Sequence, residues 1–285
     1  MLFFRTGFNI FERTNKMNTK DFMLCHSTTE EQAMQLDFAK WKANYKWDGE
    51  RIIAIVDKGT VLLLNRRGNF KNEQFKEVVD ELKRLPDCIL DGEIISKDNN
   101  FNKLQSRAGT QDTAKLALKE KSVPIDYMVF DILKLDGNEL TAKPLKERIE
   151  ILNSLSLSNE IGILNNIKLC EYGEVKELLQ KAKDKQMEGI IVKDMEAKYE
   201  GRRSHGWLKL KLWKEAEITV TTYTVNNAGI RVEANDGTAV QISGGQSQEV
   251  RDKLDAGTEV TIYIQYLEKT KENKFRFPSY RGLKQ

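Results

Sequence analysis

Lys46-Trp47-Asp48-Gly49-Glu50-Arg51 is the stretch from which the rest of the chain can be read. Lysine is the only side chain in it that can become an uncharged amine nucleophile. Attack of such an amine on phosphorus leaves a phosphoramide, stable enough to persist and labile enough to pass its cargo on. A lysine in water titrates near ~10.4, so only about one in a thousand is uncharged at neutral pH. A lysine nucleophile therefore needs nearby cations or a bound metal ion. Asp48 and Gly49 suit a tight turn, and the glycine lets the backbone approach a phosphate closely. Arg51 adds a fixed guanidinium for phosphate or ribose oxygens. Taken alone, the stretch also fits a solvated turn with ordinary surface charges, and it gains meaning only from the company of other motifs.

Downstream, 52–56 and 61–64 around Lys58-Gly59 read as a β-hairpin. The hairpin delivers Asn65-Arg66-Arg67-Gly68, either an exposed basic turn or a pair of phosphate-facing arginines. A helix follows over 75–85, ended by Pro86. The strand 88–96 carries Asp91-Gly92-Glu93 inside an apolar run, and two carboxylates there are costly to bury without partners. A ribose hydroxyl or a metal ion would be such a partner. Short helices are expected over 101–107 and 113–120, then a strand over 125–133. In that strand Phe130 is either core or a platform for a base. Helices over 145–155 and 175–185 precede Glu188-Gly189-Ile190-Ile191-Val192-Lys193, a buried strand with a lysine where the apolar run ends.

A basic loop, Tyr199-Glu200-Gly201-Arg202-Arg203-Ser204, leads into the alternating run from Trp207 to Trp213. A period of two puts Lys209 and Lys211 on one face and the apolar residues on the other. That face is either a half-exposed edge strand or a holder for an α-phosphate. Composition changes after 213, where five short strands with one helix after the third match a small barrel of the OB type.

Composition narrows the class further. The 285 residues favour two domains, and 31% charged with 40% hydrophobic residues is a globular profile. A net charge of +3 points to no bulk attraction for nucleic acid, so any phosphate-binding surface must be local. Cys25, Cys88 and Cys170 are too few and scattered for a zinc module or a disulfide framework, and read as reduced, cytosolic thiols. With His26 and His205 as the only histidines, a histidine-based metal cluster is not expected. No run reaches the length of a membrane span. Residues 1–20 are basic without a continuous apolar core, which excludes a signal peptide and leaves an amphipathic targeting segment or a frayed extension before Met17.

These segments together resemble the ATP-dependent DNA ligases of the covalent nucleotidyltransferase superfamily. The resemblance rests on KWDGER at 46–51, NRRG at 65–68, LDGEI at 90–94, MVFDIL at 128–133, EGIIVK at 188–193, WLKLK at 207–211 and the ending RFPSYRGLK at 276–284. It implies an α+β fold: an antiparallel-sheet adenylation domain over 21–213, then an OB barrel over 214–285. Lys46 would be the adenylylated nucleophile, with Asn44 at the adenine amino group and Phe130 stacked on the base. Arg51 and Glu93 would address the ribose and the nick-side phosphate or metal, and Lys193 would complete the nucleotide site. Glu188 would bind catalytic Mg²⁺, for which Mn²⁺ would substitute, and Lys209 and Lys211 would hold the α-phosphate. Arg66, Arg67, Arg202 and Arg203 fall where the family meets the 5′-phosphate strand.

The implied cofactor is ATP, since the nicotinamide-binding region and four-cysteine zinc module of NAD-dependent ligases are missing. The implied partner is nicked double-stranded DNA, engaged by a cytoplasmic monomer. An RNA ligase shares the first step, but an OB domain and the RFPSYRGLK ending favour DNA. An inert DNA-binding relative is argued against by intact Lys46, Glu93, Glu188, Lys209 and Lys211.

Overall fold

The strand Glu50–Asp57 shows why the first part of the chain folds as it does. Ile52, Ala54 and Val56 enter one core with Leu63, Phe75, Val78 and Leu82, while Ile53 and Ile55 enter another with Phe130, Tyr199 and Trp207. An unbroken apolar run is what a strand covered on both faces requires. Its hairpin partner is Thr60–Asn65, across Lys58 and Gly59 with φ of 50° and 75°, the backbone a two-residue hairpin needs.

The computed structural model describes residues 22–156, 165–269 and 273–284, so the expected extension 1–20 lies outside the described residues. The larger sheet runs Thr60–Asn65, Glu50–Asp57, Cys88–Ser96, Ile125–Leu135, Asn138–Glu139, with Ile167–Leu169 parallel to Ile125–Leu135. Helices Lys76–Leu82, Phe101–Ala108 and Leu145–Ser156 give Val78, Leu82, Leu104 and Leu152 to the first core. A second sheet is ordered Leu24–Ser27, Arg203–Lys211, Gly189–Asp194, Trp41–Tyr45. Helix Val175–Asp184 packs on its last two strands. The second core, holding Phe22, Met23 and Trp207 with Ile53 and Phe130, joins the two sheets, and the candidate residues Arg51 and Lys193 lie against its rings.

The strand Arg203–Lys211 departs from simple alternation. By parity Trp207 shares a face with Lys209, and it is the indole that is buried, at 1% exposure, together with Leu210, while Leu208 is only half-buried. Trp207 and Trp213 alternate in step with Lys209 and Lys211, and the pairing with Leu24–Ser27 also slips, Cys25 facing Ser204 but His26 facing Leu208. The apolar residues therefore do not occupy one face opposite the lysines.

The chain divides into two compact units between Leu210 and Lys211. The second holds an antiparallel sheet ordered Ala239–Ile242, Gly229–Ala234, Lys214–Asn226, Val260–Tyr266, Ser279–Leu283. Its outer strands approach one another, as in a closing barrel, and helix Gly245–Asp255 sends Val250 into the core. Among the described residues, no helix is long and apolar enough to cross a membrane.

Candidate active site

Lys46 directly succeeds the strand Trp41–Tyr45. Its N–H donates to the Gly189 carbonyl at 2.9 Å, and its ammonium reaches Glu188 Oε2 at 2.5 Å. The loop then passes so close to the strand Cys88–Ser96 that a Cβ on Gly49 would clash with the Ile94 carbonyl oxygen and lie 2.8 Å from Glu93 Cγ. Glycine is required here by the neighbouring strand, which fastens the Lys46 loop beside Glu93. Gly92 answers a similar need, since a Cβ there would lie 2.5 Å from the Tyr127 ring.

Arg51 is held from three sides. Its Nε and Nη2 donate to the two oxygens of Asp91 at 2.9 and 2.6 Å, and Nη1 donates to the Met23 carbonyl at 2.8 Å. Asp91 is wholly buried and also accepts from the Tyr199 hydroxyl at 2.6 Å. The guanidinium lies over the rings of Phe130 and Trp207, 5.2 and 5.4 Å from their centroids. Glu93 pairs with Arg51 across the ladder. Burial pushes its carboxyl up to about 8, opposed by Lys46 and Arg51 and reinforced by Asp91 and Glu188.

Lys193 is buried, with its ammonium 4.0 Å from the Trp207 ring centre and 4.3 Å from that of Phe130. Burial lowers its pKa to about 8 against the pull of Asp131. It donates to the Tyr172 hydroxyl at 2.8 Å, which donates in turn to the Phe130 carbonyl at 2.7 Å. Lys209 joins the group through Cys25, whose thiol is raised by burial while Arg51, Lys193, Lys46 and Lys209 pull it down. Asn44 pairs with Ile191 across the ladder, is 2% exposed, and its Oδ1 lacks a hydrogen-bond partner among the described residues. Such a buried acceptor can take a donor from outside the chain.

The remaining candidates lie apart. Asn65 braces its loop by accepting from the N–H groups of Arg67 and Asn69 at 3.0 and 2.9 Å, leaving the Arg66 and Arg67 side chains exposed. Arg202 is exposed and paired with Glu200 at 2.5 Å, and Arg203 donates to the Cys25 carbonyl. Lys211 falls in the second unit, its ammonium 5.3 Å from the Trp213 ring centre and 5.6 Å from that of Phe277. Sequence reasoning missed Tyr199, Tyr172 and the pairing role of Asp91. Tyr199 opens a stretch dominated by Arg202 and Arg203, and nothing in that stretch marks its hydroxyl as the partner of a distant carboxylate.

Two largely antiparallel sheets with a lysine–carboxylate pair at their seam, followed by a small barrel, form the architecture of a covalent nucleotidyltransferase. The family described as "ATP dependent DNA ligase domain" matches residues 22–211, and the chain belongs to that family. It is 29% identical over 281 residues to the SPbeta prophage-derived DNA ligase-like protein LigB of Bacillus subtilis, covering 91% of this chain and 97% of that protein. It is 32% identical over 197 residues to DNA ligase 2 of Thermofilum pendens, covering 64% of this chain and 32% of that one. With the multifunctional non-homologous end joining protein LigD of Mycolicibacterium smegmatis it shares 27% over 209 residues, covering 70% of this chain and 25% of LigD. The chain thus spans nearly all of the first relative and a third or less of the other two.

Solved structures share the fold. A Lig E DNA ligase superposes with a TM-score of 0.67 at 18% identity, covering 92% of this chain and 98% of that one. The ligase domain of M. tuberculosis LigD gives 0.57 at 20% identity, covering 92% and 94%.

Proposed function

We propose that this chain seals nicks between a 3′-hydroxyl and a 5′-phosphate in double-stranded DNA, using ATP, through a lysyl-AMP on Lys46. The observation that carries the reading is the 2.5 Å contact of Lys46 Nζ with Glu188 Oε2, among Arg51, Glu93, Lys193 and Lys209. The carboxylate positions the amine, and a cation on Glu188 together with the neighbouring lysines would favour the uncharged form that attacks. The lone pair of Lys46 forms the N–P bond at the α-phosphorus, and the bond to the β-phosphate oxygen breaks as pyrophosphate leaves. The 5′-phosphate of the nick then takes AMP from Lys46, and attack by the 3′-hydroxyl releases AMP and closes the backbone. Each step is phosphoryl transfer, where positioning and charge neutralisation supply the catalysis.

Asn44 Oδ1 accepts from the adenine amino group, Phe130 and Lys193 border the nucleotide, and Arg51 with Glu93 addresses the ribose or nick-side phosphate. Lys209 holds the α-phosphate, and Arg66, Arg67, Arg202 and Arg203 meet DNA phosphates. The family uses a divalent metal with ATP, and the carboxylates fit one: the charge of Glu188 helps to raise the Glu93 carboxyl, and a cation between them would relieve it. Among the described residues no group of three or more His, Cys, Asp or Glu could hold a metal. Two carboxylates supplemented by water and phosphate oxygens suit Mg²⁺, with Mn²⁺ as a substitute. Bound there, the ion would neutralise charge developing on the transferring phosphoryl group. The three cysteines are free, and we assign the protein to the cytoplasm as a monomer.

The test is incubation with α-labelled ATP, then sealing of nicked DNA and nicked RNA. Lys46→Ala should form no labelled protein and seal no ordinary nick, yet close one that already carries 5′-adenylate. Label retained on the variant would exclude Lys46, and preference for an RNA nick would exclude the DNA assignment.

A further inference from the structure

His26 and His205, the only histidines of the chain, stack face to face with ring centroids 3.8 Å apart and planes 8° from parallel. They meet because Leu24–Ser27 runs parallel to Arg203–Lys211, with its pairing slipping between Cys25 and His26. The residues around the stack are cationic. Arg203 is exposed and anchored on the Cys25 carbonyl, and Lys209 faces Ser27 across the ladder. Desolvation first, then His205, Arg203 and Lys209, all push His26 below the usual imidazole range. Two nearby carboxylates are engaged elsewhere: Glu200 with Arg202 and Ser204, Glu30 with Lys183.

Parallel rings cannot share a metal, because each ring's lone pairs lie in its own plane and a bound ion must lie close to both planes at about 2.0–2.1 Å from each nitrogen. Simple packing explains the ring contact, but not why every charge acting on it is positive. A phosphate oxygen suits such surroundings: it accepts from imidazole N–H groups and is attracted by Arg203 and Lys209.

We propose that His26 and His205, with Arg203 and Lys209, form a proton-linked phosphate site. A phosphate that accepts from the imidazoles draws a proton from solvent onto the stack, and binds more tightly as pH falls. No covalent bond changes. The site adjoins the seat of Lys46, with Lys209 common to both, and rests on the nick-sealing reading only for its two phosphate sources: the strand at the nick, or departing pyrophosphate.

With two histidines, the imidazole Hε1 resonances give both titrations without ambiguity. The full chain would be titrated alone, with inorganic pyrophosphate, with a nicked duplex carrying a 5′-phosphate, and with the same duplex carrying a 5′-hydroxyl, at one ionic strength. An upward shift of about one unit in either histidine, equivalent to about tenfold tighter binding by its protonated form, is expected from the true source. A shift with the 5′-phosphate alone assigns the nick phosphate, and one with pyrophosphate alone assigns the leaving group. Equal shifts with both duplexes assign a backbone phosphodiester. Histidines that none of the three moves would overturn the proposal. Replacing both by glutamine should also flatten the pH dependence of affinity for whichever phosphate binds, and an unchanged dependence counts equally against it. Wild-type protein that seals nicks with unmoved histidines would sink this site alone. Shifted histidines without any sealing would sink the nick-sealing reading alone.

Discussion

Removing one oxygen, by Tyr199→Phe, tests what holds Arg51. The Tyr199 hydroxyl donates to Asp91 Oδ2 at 2.6 Å and accepts the Met23 N–H at 3.2 Å, in a site where Asp91 is fully buried. Loss of a hydrogen bond to a charged acceptor costs about 1.5–3 kcal/mol, and stranding a buried N–H costs about 1–3 kcal/mol more. Even at the low ends, the first unit should lose about 2.5 kcal/mol. The assay is urea unfolding followed by tryptophan fluorescence, with Trp207 as the nearby reporter, its ring 5.7 Å from that of Tyr199. The midpoint should fall with an unchanged slope, since the surface exposed on unfolding is the same. Lys46 adenylation should slow as well, because Asp91 then holds Arg51 without its second anchor. Asp91→Asn is the harsher comparison, leaving a half-buried guanidinium without its counter-charge at a cost of about 3–5 kcal/mol. A Tyr199→Phe loss under about 1 kcal/mol with normal adenylation would refute the network as the support of Arg51.

The same geometry sets three further outcomes. Glu188→Gln keeps the shape but not the charge beside Lys46, so lysyl-AMP formation should fall by about a hundredfold or more, whereas Glu188→Asp keeps part of it; full wild-type sealing in excess EDTA would contradict a metal role. Lys193 titrates near 8 in the fold, below its ordinary value of 10.5. The unfolded chain therefore binds the extra proton between those values, and wild type should gain stability over Lys193→Met as pH rises through that window, by at most about 1.4 kcal/mol per unit. A difference that stays flat there would show that Lys193 is not desolvated. Gly49→Ala drives a Cβ into the Ile94 carbonyl, so it should cost about 1–3 kcal/mol or displace the Lys46 loop and slow adenylation; a variant normal in melting and labelling would remove that role for the glycine.

Elements are legible in the sequence where local pattern and burial agree. The strand expected over 88–96 is Cys88–Ser96, and the helices expected over 101–107 and 145–155 are Phe101–Ala108 and Leu145–Ser156. Each carries its own period or its own stop signal. The strand after Arg203 misleads because Trp207 and Trp213 have the same parity as Lys209 and Lys211, which a count along the run already shows, whereas the slip in its pairing with Leu24–Ser27 leaves no trace in the pattern. The His26–His205 stack is invisible for the same reason: the two residues share no spacing, only a parallel pairing made by the fold.

For the site, sequence identifies charges but not their support. KWDGER names Lys46 and Arg51, yet the two differ physically. Lys46 is partly exposed and joined to a carboxylate that also keeps some exposure, whereas Arg51 is locked onto a fully buried one. Asp91 and Glu93 stand two apart on the same strand, both in the expected motif, and the fold separates them by their partners. Asp91 has Arg51 and Tyr199 and is satisfied. Glu93 is raised to about 8 despite Lys46 and Arg51, which marks it as the carboxylate still short of positive charge. That difference leaves Asp91 committed to holding Arg51 and Glu93 open to the binding role proposed for it. It arises from Tyr199 and Met23, at opposite ends of the first unit, which no local reading of LDGEI could supply.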